Sequence, residues 1–152
     1  MIFATVGTTL PFDELVRELD RLRDEGMLEE HVVCQIGNGA YEPRHCEWFR
    51  FKPSIDQLAR NASVVVCHGG TGTVLQMITL GLRFAALANP SAVDAHQAQF
   101  LARLQREHPI FWSTDTRDLL NLIQRARGSQ AVAPTIPSLL PDLEQFLVDQ
   151  GR

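Results

Sequence analysis

The sequence predicts an α/β fold: a doubly wound, mostly parallel sheet of six strands with helices on both faces. Short, wholly apolar segments alternate with amphipathic ones, which is typical of strands that are covered on both faces by the intervening helices. Glycine or proline residues separate most of these segments. With 152 residues, 45% of them hydrophobic, the chain is long enough to bury a core of its own. We therefore expect residues 1–152 to form a single domain.

The first two elements establish this pattern. Residues 1–6 form an apolar segment that ends at Gly7, as expected of a buried strand. In residues 11–25 the apolar side chains recur every three or four positions, which predicts an amphipathic helix, and Gly26 suits its end. Further strands are predicted over residues 31–36, 46–51, 63–67, 83–88 and 110–112, and helices over residues 54–60, 71–80, 95–106, 115–127 and about 139–149. Because such sheets bind ligands beyond the carboxyl ends of their strands, a site is expected among the loops after residues 6, 36, 51, 67 and 88.

Composition excludes several classes of protein. The formal net charge is −4 and no block of like charge occurs, which argues against a nucleic-acid-binding face. Lys52 is the single lysine and precedes Pro53, whereas a Walker A loop needs Gly-Lys-Ser/Thr, so a P-loop NTPase is excluded. No apolar segment approaches the roughly 20 residues that span a bilayer, and no basic region precedes an apolar stretch at the N-terminus. We expect a cytoplasmic protein.

The cysteines and most histidines are expected to be structural. Cys34, Cys46 and Cys67 contain no C-x-x-C pair, and an odd number argues against a disulfide framework. Cys34 and Cys67 end apolar segments, so we expect buried thiols there. The histidines expected at the surface are His31, His45 and His108.

The strongest local signal follows the fourth predicted strand, where residues 68–73 read His-Gly-Gly-Thr-Gly-Thr and lead into a helix. The glycines remove side chains where a backbone could approach a ligand, and the threonines add hydroxyls beside the unpaired N–H groups of a helix start. Such a junction suits an anion, above all phosphate. The alternative is a tight turn whose glycines serve close packing. A dinucleotide-binding fingerprint is excluded, because it would need a small residue where Leu75 stands and would follow the first strand.

A second polar segment, Asp94-Ala95-His96-Gln97, opens the helix after the fifth predicted strand. Asp94 can cap this helix. His96 and Gln97 would then point from its first turn toward the same crevice as the glycine-rich junction. Capping alone would explain the segment, but its place on the neighbouring strand favours a role in ligand binding.

Taken together, these segments resemble the donor-binding half of the GT-B glycosyltransferases of family 28. The resemblance covers residues 1 to about 125. It is greatest to the small catalytic subunit of the two-part UDP-N-acetylglucosamine transferase of lipid-linked oligosaccharide synthesis and to the small subunits of bacterial exopolysaccharide glycosyltransferases. It implies a Rossmann-like fold, one half of the GT-B architecture. The segments that carry it are residues 3–9 with Phe12 and Asp13, residues 35–38, residues 64–73, Gly81, Asn89 and residues 94–97.

The resemblance also implies roles for individual residues. The diphosphate of a UDP-sugar would lie against residues 70–73 and the uracil near Phe51 and Lys52. The donor sugar would face Asn89, Asp94, His96 and Gln97. Related enzymes carry, at the position of Gln76, a glutamate that binds the ribose hydroxyls; an amide oxygen can still accept such a bond, but without charge. The residues expected at the UDP-sugar site are Gly7, Thr8, Thr9, Gln35, Gly37, Phe51, Lys52, His68, Gly69, Gly70, Thr71, Gly72, Thr73, Gln76, Asn89, Asp94, His96 and Gln97.

The implied reaction is inverting transfer of a sugar from UDP-GlcNAc, or another UDP-hexose derivative, to a lipid-linked acceptor in polysaccharide or glycolipid synthesis. N–H groups at a helix start can stabilise the leaving diphosphate without a metal ion. Since the chain also contains no Asp-x-Asp pair, no metal or other cofactor is expected. A general base is needed as well. His68 is one candidate for this base, although the residue could instead orient its loop. The base could also come from the other half of the enzyme.

The chain's size bears on its partners. A GT-B enzyme has two domains, and 152 residues leave no room for the acceptor half. We therefore expect a membrane-anchored, acceptor-binding glycosyltransferase subunit as partner, which would hold this chain at the inner face of the membrane. Two further possibilities stay open: the chain could form a homo-oligomer, and its C-terminal helix could dock either on the partner or on its own core. A function of a different class is also possible: the chain could be a non-catalytic nucleotide-sugar-binding or regulatory module. A UDP-sugar 2-epimerase uses a related architecture but would need a second domain of its own.

Overall fold

Six strands form one sheet at the centre of the protein, whose computed structural model describes residues 1–8, 10–91 and 96–129. The strands are β1 (Ile2–Thr5), β2 (Val32–Gln35), β3 (Glu47–Phe49), β4 (Val64–His68), β5 (Phe84–Leu87) and β6 (Phe111–Ser113). Their order in the sheet is β3-β2-β1-β4-β5-β6, and every neighbouring pair runs parallel. The predicted class and strand number are confirmed, and the sheet is wholly parallel rather than mostly so.

Helices connect the successive strands, as the hydrophobic periodicity predicts, except for β2 and β3, which a loop joins. In the described part of the chain the helices are α1 (Asp13–Asp24), α2 (Asp56–Asn61), α3 (Thr71–Thr79), α4 (His96–Gln105) and α5 (Leu119–Arg127). The chain leaves α1 at Gly26, whose φ of 73° is the left-handed conformation that glycine adopts without strain. A short 3-10 turn, Thr116–Asp118, precedes α5, and the Asp115 carboxylate caps it by accepting from the backbone N–H of Arg117. The predicted helix at 139–149 lies outside the described residues.

Helices cover both faces of the sheet, which makes it doubly wound. On one face α1 and α5 pack against alternate strand residues, among them Ile2, Ala4 and Val66. On the other face α3 and α4 pack against the intervening residues, among them Phe3 and Val65. Every residue of β1, β2 and β5 is buried, which explains why these strands are apolar at nearly every position, with almost no alternation.

The structure corrects two details of the sequence-based prediction. The sixth strand begins one residue late, because the N–H of Ile110 bonds to the carbonyl of His108 within the preceding turn. His108, expected at the surface, is only 5% exposed. Its N–H bonds to the carbonyl of Leu104 at the end of α4, so the chain turns back at once and encloses the side chain. The surface positions predicted for His31 and His45 are confirmed, since their side chains are 58% and 44% exposed.

The order of the strands fixes where a crevice can form. β1 and β4 are neighbours, but the chain leaves β1 for α1 on one face and β4 for α3 on the other. The loops at their carboxyl ends therefore diverge, which opens a crevice at this edge of the sheet.

Candidate functional site

A cleft of about 760 Å³ lies at this crevice, within the range of small-molecule sites. Its walls come from the ends of β1 and β4, the segment after β3, and the first turns of α2 and α3. Most of the residues predicted from the sequence line it: Gly7, Thr8, Gln35, Phe51, Lys52, His68, Gly70, Thr71, Gly72, Thr73, Gln76, Asn89 and Gln97.

Five of the predicted residues are not placed in the cleft wall. Gly37, Gly69 and His96 do not line it. Thr9 and Asp94 lie outside the described residues, so their predicted roles stay predictions.

Gly69 and Gly37 are glycines for reasons of packing. A β-carbon on Gly69 would lie 2.9 Å from Cδ1 of Leu101 and 3.2 Å from Cα of Ala88. Gly37 has a φ of 57°, and a β-carbon there would lie 2.9 Å from the carbonyl oxygen of Gly7. For these two positions the close-packing interpretation of the glycine-rich loops is the one that the geometry favours.

The start of α3 forms one wall of the cleft and can accept an anion. Gly70, the N-cap residue, is extended, and no side chain caps the helix. The first N–H to bond back along the helix is that of Val74, which donates to the carbonyl of Gly70 at 3.0 Å. The N–H groups of residues 71–73 thus have no acceptor within the helix, and the first turn carries no acidic side chain. Exposed donors and the positive end of the helix dipole therefore meet at one wall of the cleft.

His68 holds this loop in place. Its Nδ1 accepts the N–H of Gly70 at 3.1 Å, and its Nε2 lies 3.1 Å from Oγ1 of Thr73. Because Nδ1 accepts, the bonding pattern assigns the proton to Nε2, which donates to the threonine hydroxyl. Burial lowers the pKa of His68 to about 4, so the ring is neutral near pH 7. With both nitrogens engaged, the geometry favours loop orientation over proton abstraction.

Gln35 positions the segment after β3. Its side chain is buried, and its amide nitrogen donates to Oγ1 of Thr5 at 3.0 Å. Its amide oxygen accepts the backbone N–H of Lys52 at 3.3 Å. The ammonium of Lys52 lies 4.5 Å from the centre of the Phe49 ring, and the neighbouring Phe51 is 65% exposed. Gln35 therefore fixes the backbone on which Phe51 and Lys52 reach the cleft.

Asn89 and Gln97 join the loop after β5 to its surroundings. The backbone N–H of Asn89 donates to Oε1 of Gln97 at 2.8 Å, and its side-chain amide donates to the carbonyl of Pro11 at 3.1 Å. The oxygen of the same side chain accepts the N–H of Ser91. These bonds connect the end of β5 to α4 and to the residues before α1. Polar contacts therefore hold the part of the cleft wall that follows β5.

The structure adds one charged residue that the sequence did not single out. Asp56, the first residue of α2, lines the cleft and accepts the amide N–H of Gln76 at 2.8 Å. In the sequence an acidic residue at a helix start indicates only a favourable interaction with the helix dipole, so no signal pointed to the cleft. The other lining residues not predicted are Thr5, Val6, Leu10, Pro53, Ser54 and Ile55.

The described residues contain neither a cluster of metal ligands nor a membrane-spanning helix. Among residues 1–8, 10–91 and 96–129, no three His, Cys, Asp or Glu side chains are grouped so that they could hold a metal ion. Within the same residues, no helix has both the length and the apolar character needed to cross a bilayer.

Comparison with known proteins places the chain among glycosyltransferase sequences. The family model described as the glycosyltransferase family 28 C-terminal domain matches residues 1–125. The UDP-N-acetylglucosamine transferase subunit ALG13 of Homo sapiens is 30% identical in an alignment 124 residues long, which covers 74% of this chain and 11% of the human protein. The chain thus spans only about a tenth of that relative's length.

Solved structures share the fold. The NMR structure of ALG13 superposes with a TM-score of 0.56 at 19% identity, covering 91% of this chain and 92% of the other. The crystal structure of the glycotransferase of kitacinnamycin gives a TM-score of 0.61 at 18% identity, covering 93% of this chain and 38% of the other. At such identities the likeness concerns the fold alone.

Proposed function

Since this chain belongs to the family of glycosyltransferase family 28 C-terminal domains, we propose that it is the donor-binding catalytic subunit of an inverting, UDP-sugar-dependent glycosyltransferase. Its donor is UDP-GlcNAc or another UDP-hexose derivative. Its acceptor is a lipid-linked sugar or lipid of polysaccharide or glycolipid synthesis. The observation that carries the proposal is the uncapped start of α3 in the wall of the cleft.

The diphosphate of the donor binds at this helix start. The backbone N–H groups of residues 71–73 donate to its oxygens, as they do in other helix-end phosphate sites. Thr73 adds its hydroxyl: because Oγ1 receives a hydrogen bond from His68, its own hydrogen is left to donate to a phosphate oxygen. Lys52, the single basic side chain among the described residues that line the cleft, contributes positive charge near the nucleotide.

The reaction is a displacement at the anomeric carbon of the donor sugar. An acceptor hydroxyl attacks from the face opposite the leaving group, a new C–O bond forms, and the bond to the β-phosphate oxygen breaks with its electron pair leaving on UDP. The donors at the start of α3 stabilise the charge that develops on the diphosphate, so the scheme needs no metal ion. The proton of the acceptor hydroxyl passes to a base from the acceptor-binding partner, since both nitrogens of His68 are engaged.

The partner is a membrane-anchored, acceptor-binding glycosyltransferase subunit, which holds this cytoplasmic chain at the membrane as a peripheral protein. Two findings support this. The family model describes a C-terminal domain, and the human relative is named as a subunit of a transferase.

Isothermal titration calorimetry with UDP tests donor binding. The variant Gly72→Asp places a carboxylate where the diphosphate is proposed to lie, and we expect it to weaken UDP binding at least tenfold. Asn121→Asp, which adds the same charge at an exposed position of α5, is the matched control and should bind like the wild type. Absence of UDP and UDP-sugar binding by the folded wild type would refute the proposal, and unchanged affinity in Gly72→Asp would refute the placement of the diphosphate.

A non-catalytic nucleotide-sugar-binding module is the second candidate. It is favoured by one observation, the engagement of both nitrogens of His68, which leaves no free histidine base among the described residues that line the cleft. Transfer of labelled sugar from UDP-GlcNAc to lipid, measured with membranes that carry the partner, separates the two functions. Transfer that depends on added wild-type chain, and is lost with Gly72→Asp, supports the enzyme; UDP-GlcNAc binding without any transfer supports the module.

A further inference from the structure

Asp56 and Gln76 form a hydrogen-bonded pair in the wall of the cleft. They lie on different helices, with Asp56 at the first residue of α2 and Gln76 in the middle of α3. Both side chains are partly buried and both line the cleft. Nε2 of Gln76 donates to Oδ1 of Asp56 at 2.8 Å. Among the described residues that line the cleft, Asp56 is the only carboxylate.

The hydrogen bond determines which atoms the pair presents to a ligand. An ionised carboxylate can only accept, so Gln76 must turn its NH2 group toward Asp56 and its Oε1 away. Within the described part of the chain, neither Oε1 of Gln76 nor Oδ2 of Asp56 has another hydrogen-bond partner. The pair therefore presents two neighbouring acceptors, one of them charged, and one N–H of its single donor group is already directed at the carboxylate.

Two adjacent acceptors match the chemistry of a vicinal diol. Each hydroxyl of a ribose can donate one hydrogen bond, and a carboxylate is the acceptor that binding sites commonly direct at ribose hydroxyls. Gln76 also follows the uncapped donors of residues 71–73 by about one turn of the same helix, or about 5.4 Å along its axis. The acceptors are thus displaced from the anion site along the cleft, where the sugar of a nucleoside diphosphate would continue.

We infer that Asp56 and Gln76 together bind the ribose hydroxyls of the nucleotide, with Asp56 supplying the negative charge. This inference rests on the proposed function, because it assumes that a nucleoside diphosphate occupies the cleft. The carboxylate of the ribose site is then carried by α2, not by α3. The amide at position 76 has two functions: its nitrogen orients Asp56 and its oxygen accepts the second hydroxyl.

Calorimetry with UDP and 2′-deoxy-UDP, which lacks one of the two hydroxyls, tests the inference. We expect the wild type to bind UDP about tenfold more tightly than 2′-deoxy-UDP. Asp56→Asn should weaken UDP binding about tenfold, leave 2′-deoxy-UDP binding within threefold, and so remove most of the discrimination. Asp24→Asn, at the exposed end of α1, is the matched control and should retain it.

A charge exchange gives the decisive comparison. The double variant Asp56→Asn with Gln76→Glu reverses the two side-chain types but keeps one carboxylate, one amide and the hydrogen bond between them. We expect it to recover UDP affinity to within threefold of the wild type, together with the preference for UDP. Such recovery also shows that the loss in Asp56→Asn is not a folding defect, which circular dichroism checks independently.

The outcomes distinguish this inference from the function on which it rests. If the wild type binds UDP but Asp56→Asn binds both nucleotides as the wild type does, the inference is overturned and the donor site remains. If Asp56→Asn weakens both nucleotides equally, or the double variant recovers nothing, Asp56 only shapes the cleft and the inference is again overturned. If the folded wild type binds neither nucleotide, the proposed function itself fails.

Discussion

The imidazole of His68 occupies the space in which a β-carbon on Gly70 would lie. The ring is held there because its Nδ1 accepts the N–H of Gly70 at 3.1 Å. The same ring is close to Gly7, where an added β-carbon would lie 3.2 Å from Cε1. Two glycines from different strand ends thus enclose one histidine, and the start of α3 depends on all three residues.

The substitution Gly70→Ala should therefore disrupt the anion site. The added methyl group would overlap the His68 ring and displace either the ring or the helix start. We expect at least tenfold weaker UDP binding and a loss of about 1–3 kcal/mol in the free energy of unfolding, typical of overpacking. Calorimetry and urea denaturation measure the two effects.

Two further variants make this prediction specific. Gly128→Ala is a neutral control, because its β-carbon would meet only carbonyl oxygens at 3.6 Å and 3.8 Å. The double variant His68→Ala with Gly70→Ala removes the overlapping ring and should be more stable than Gly70→Ala alone. Wild-type UDP affinity in Gly70→Ala would contradict the proposed role of this contact.

The stability of the protein should depend on pH through His68. Burial lowers the pKa of this ring to about 4, below its unfolded value of about 6.5. The unfolded chain then binds more protons between these values, so the contribution is fully present above pH 6.5 and is lost as the pH falls toward 4. Between pH 7.5 and pH 5 we expect the wild type to lose about 2 kcal/mol more of its free energy of unfolding than His68→Gln does.

Urea denaturation at the two pH values provides the measurement. The difference between the wild type and His68→Gln at each pH isolates the contribution of this ring. An equal loss of stability in the wild type and in His68→Gln would show that the ring is not buried in its neutral form.

Gly69 should respond differently from Gly70, because it packs beneath the loop and does not line the cleft. In Gly69→Ala the added methyl group meets Leu101 and the backbone of Ala88. We expect a loss of about 1–3 kcal/mol in stability, with the UDP affinity of the folded protein within threefold of the wild type. A double-mutant cycle with Leu101→Ala should show a coupling free energy of about 0.5 kcal/mol or more. Additive effects, or a selective loss of UDP binding, would contradict the packing role.

Asp20 should stabilise the protein through its charge. It is 3% exposed and accepts hydrogen bonds from the Tyr41 hydroxyl at 2.5 Å and from the backbone N–H groups of Arg44 and His45. Burial by itself would raise the pKa of this carboxyl, but the hydrogen bonds outweigh it and the pKa is lowered. The resulting stabilisation is present above the unfolded pKa of about 3.9 and is lost as the pH falls through the lower folded value.

The variant Asp20→Asn tests this role at neutral pH. An amide offers one acceptor oxygen and confronts the remaining donors with its NH2 group, so we expect a loss of about 2–4 kcal/mol. Asp24→Asn, one turn further along α1 with its side chain 61% exposed, should change stability by less than about 0.5 kcal/mol. A small effect at Asp20 would mean that the segment of residues 41–45 does not depend on the carboxylate.

The order of the elements was predictable from the sequence, because strands buried on both faces are apolar at nearly every position. The segment Ser-Val-Val-Val-Cys at residues 63–67 is an example. The glycine-rich loop after it was predictable as well, since a helix start that lacks side-chain caps needs only local sequence. Contacts between distant segments were not. The pairing of Gln76 with Asp56 and the packing of Gly69 against Leu101 depend on how elements on one face of the sheet meet. The burial of His108 follows from the turn after α4, which the polar residues before it in the sequence did not indicate.

The parallel arrangement of the sheet also has a consequence for folding. The cleft is assembled from the ends of β1, β4 and β5, at Gly7, Gly70 and Asn89, which are far apart along the chain. Contacts between residues so far apart in the sequence form slowly, because closing the long loops between them costs conformational entropy. No fragment lacking one of these strands can contain the whole cleft. A ligand of the cleft therefore recognises only the fully assembled sheet, and its binding energy adds to the stability of the entire domain rather than to that of a part which folds earlier.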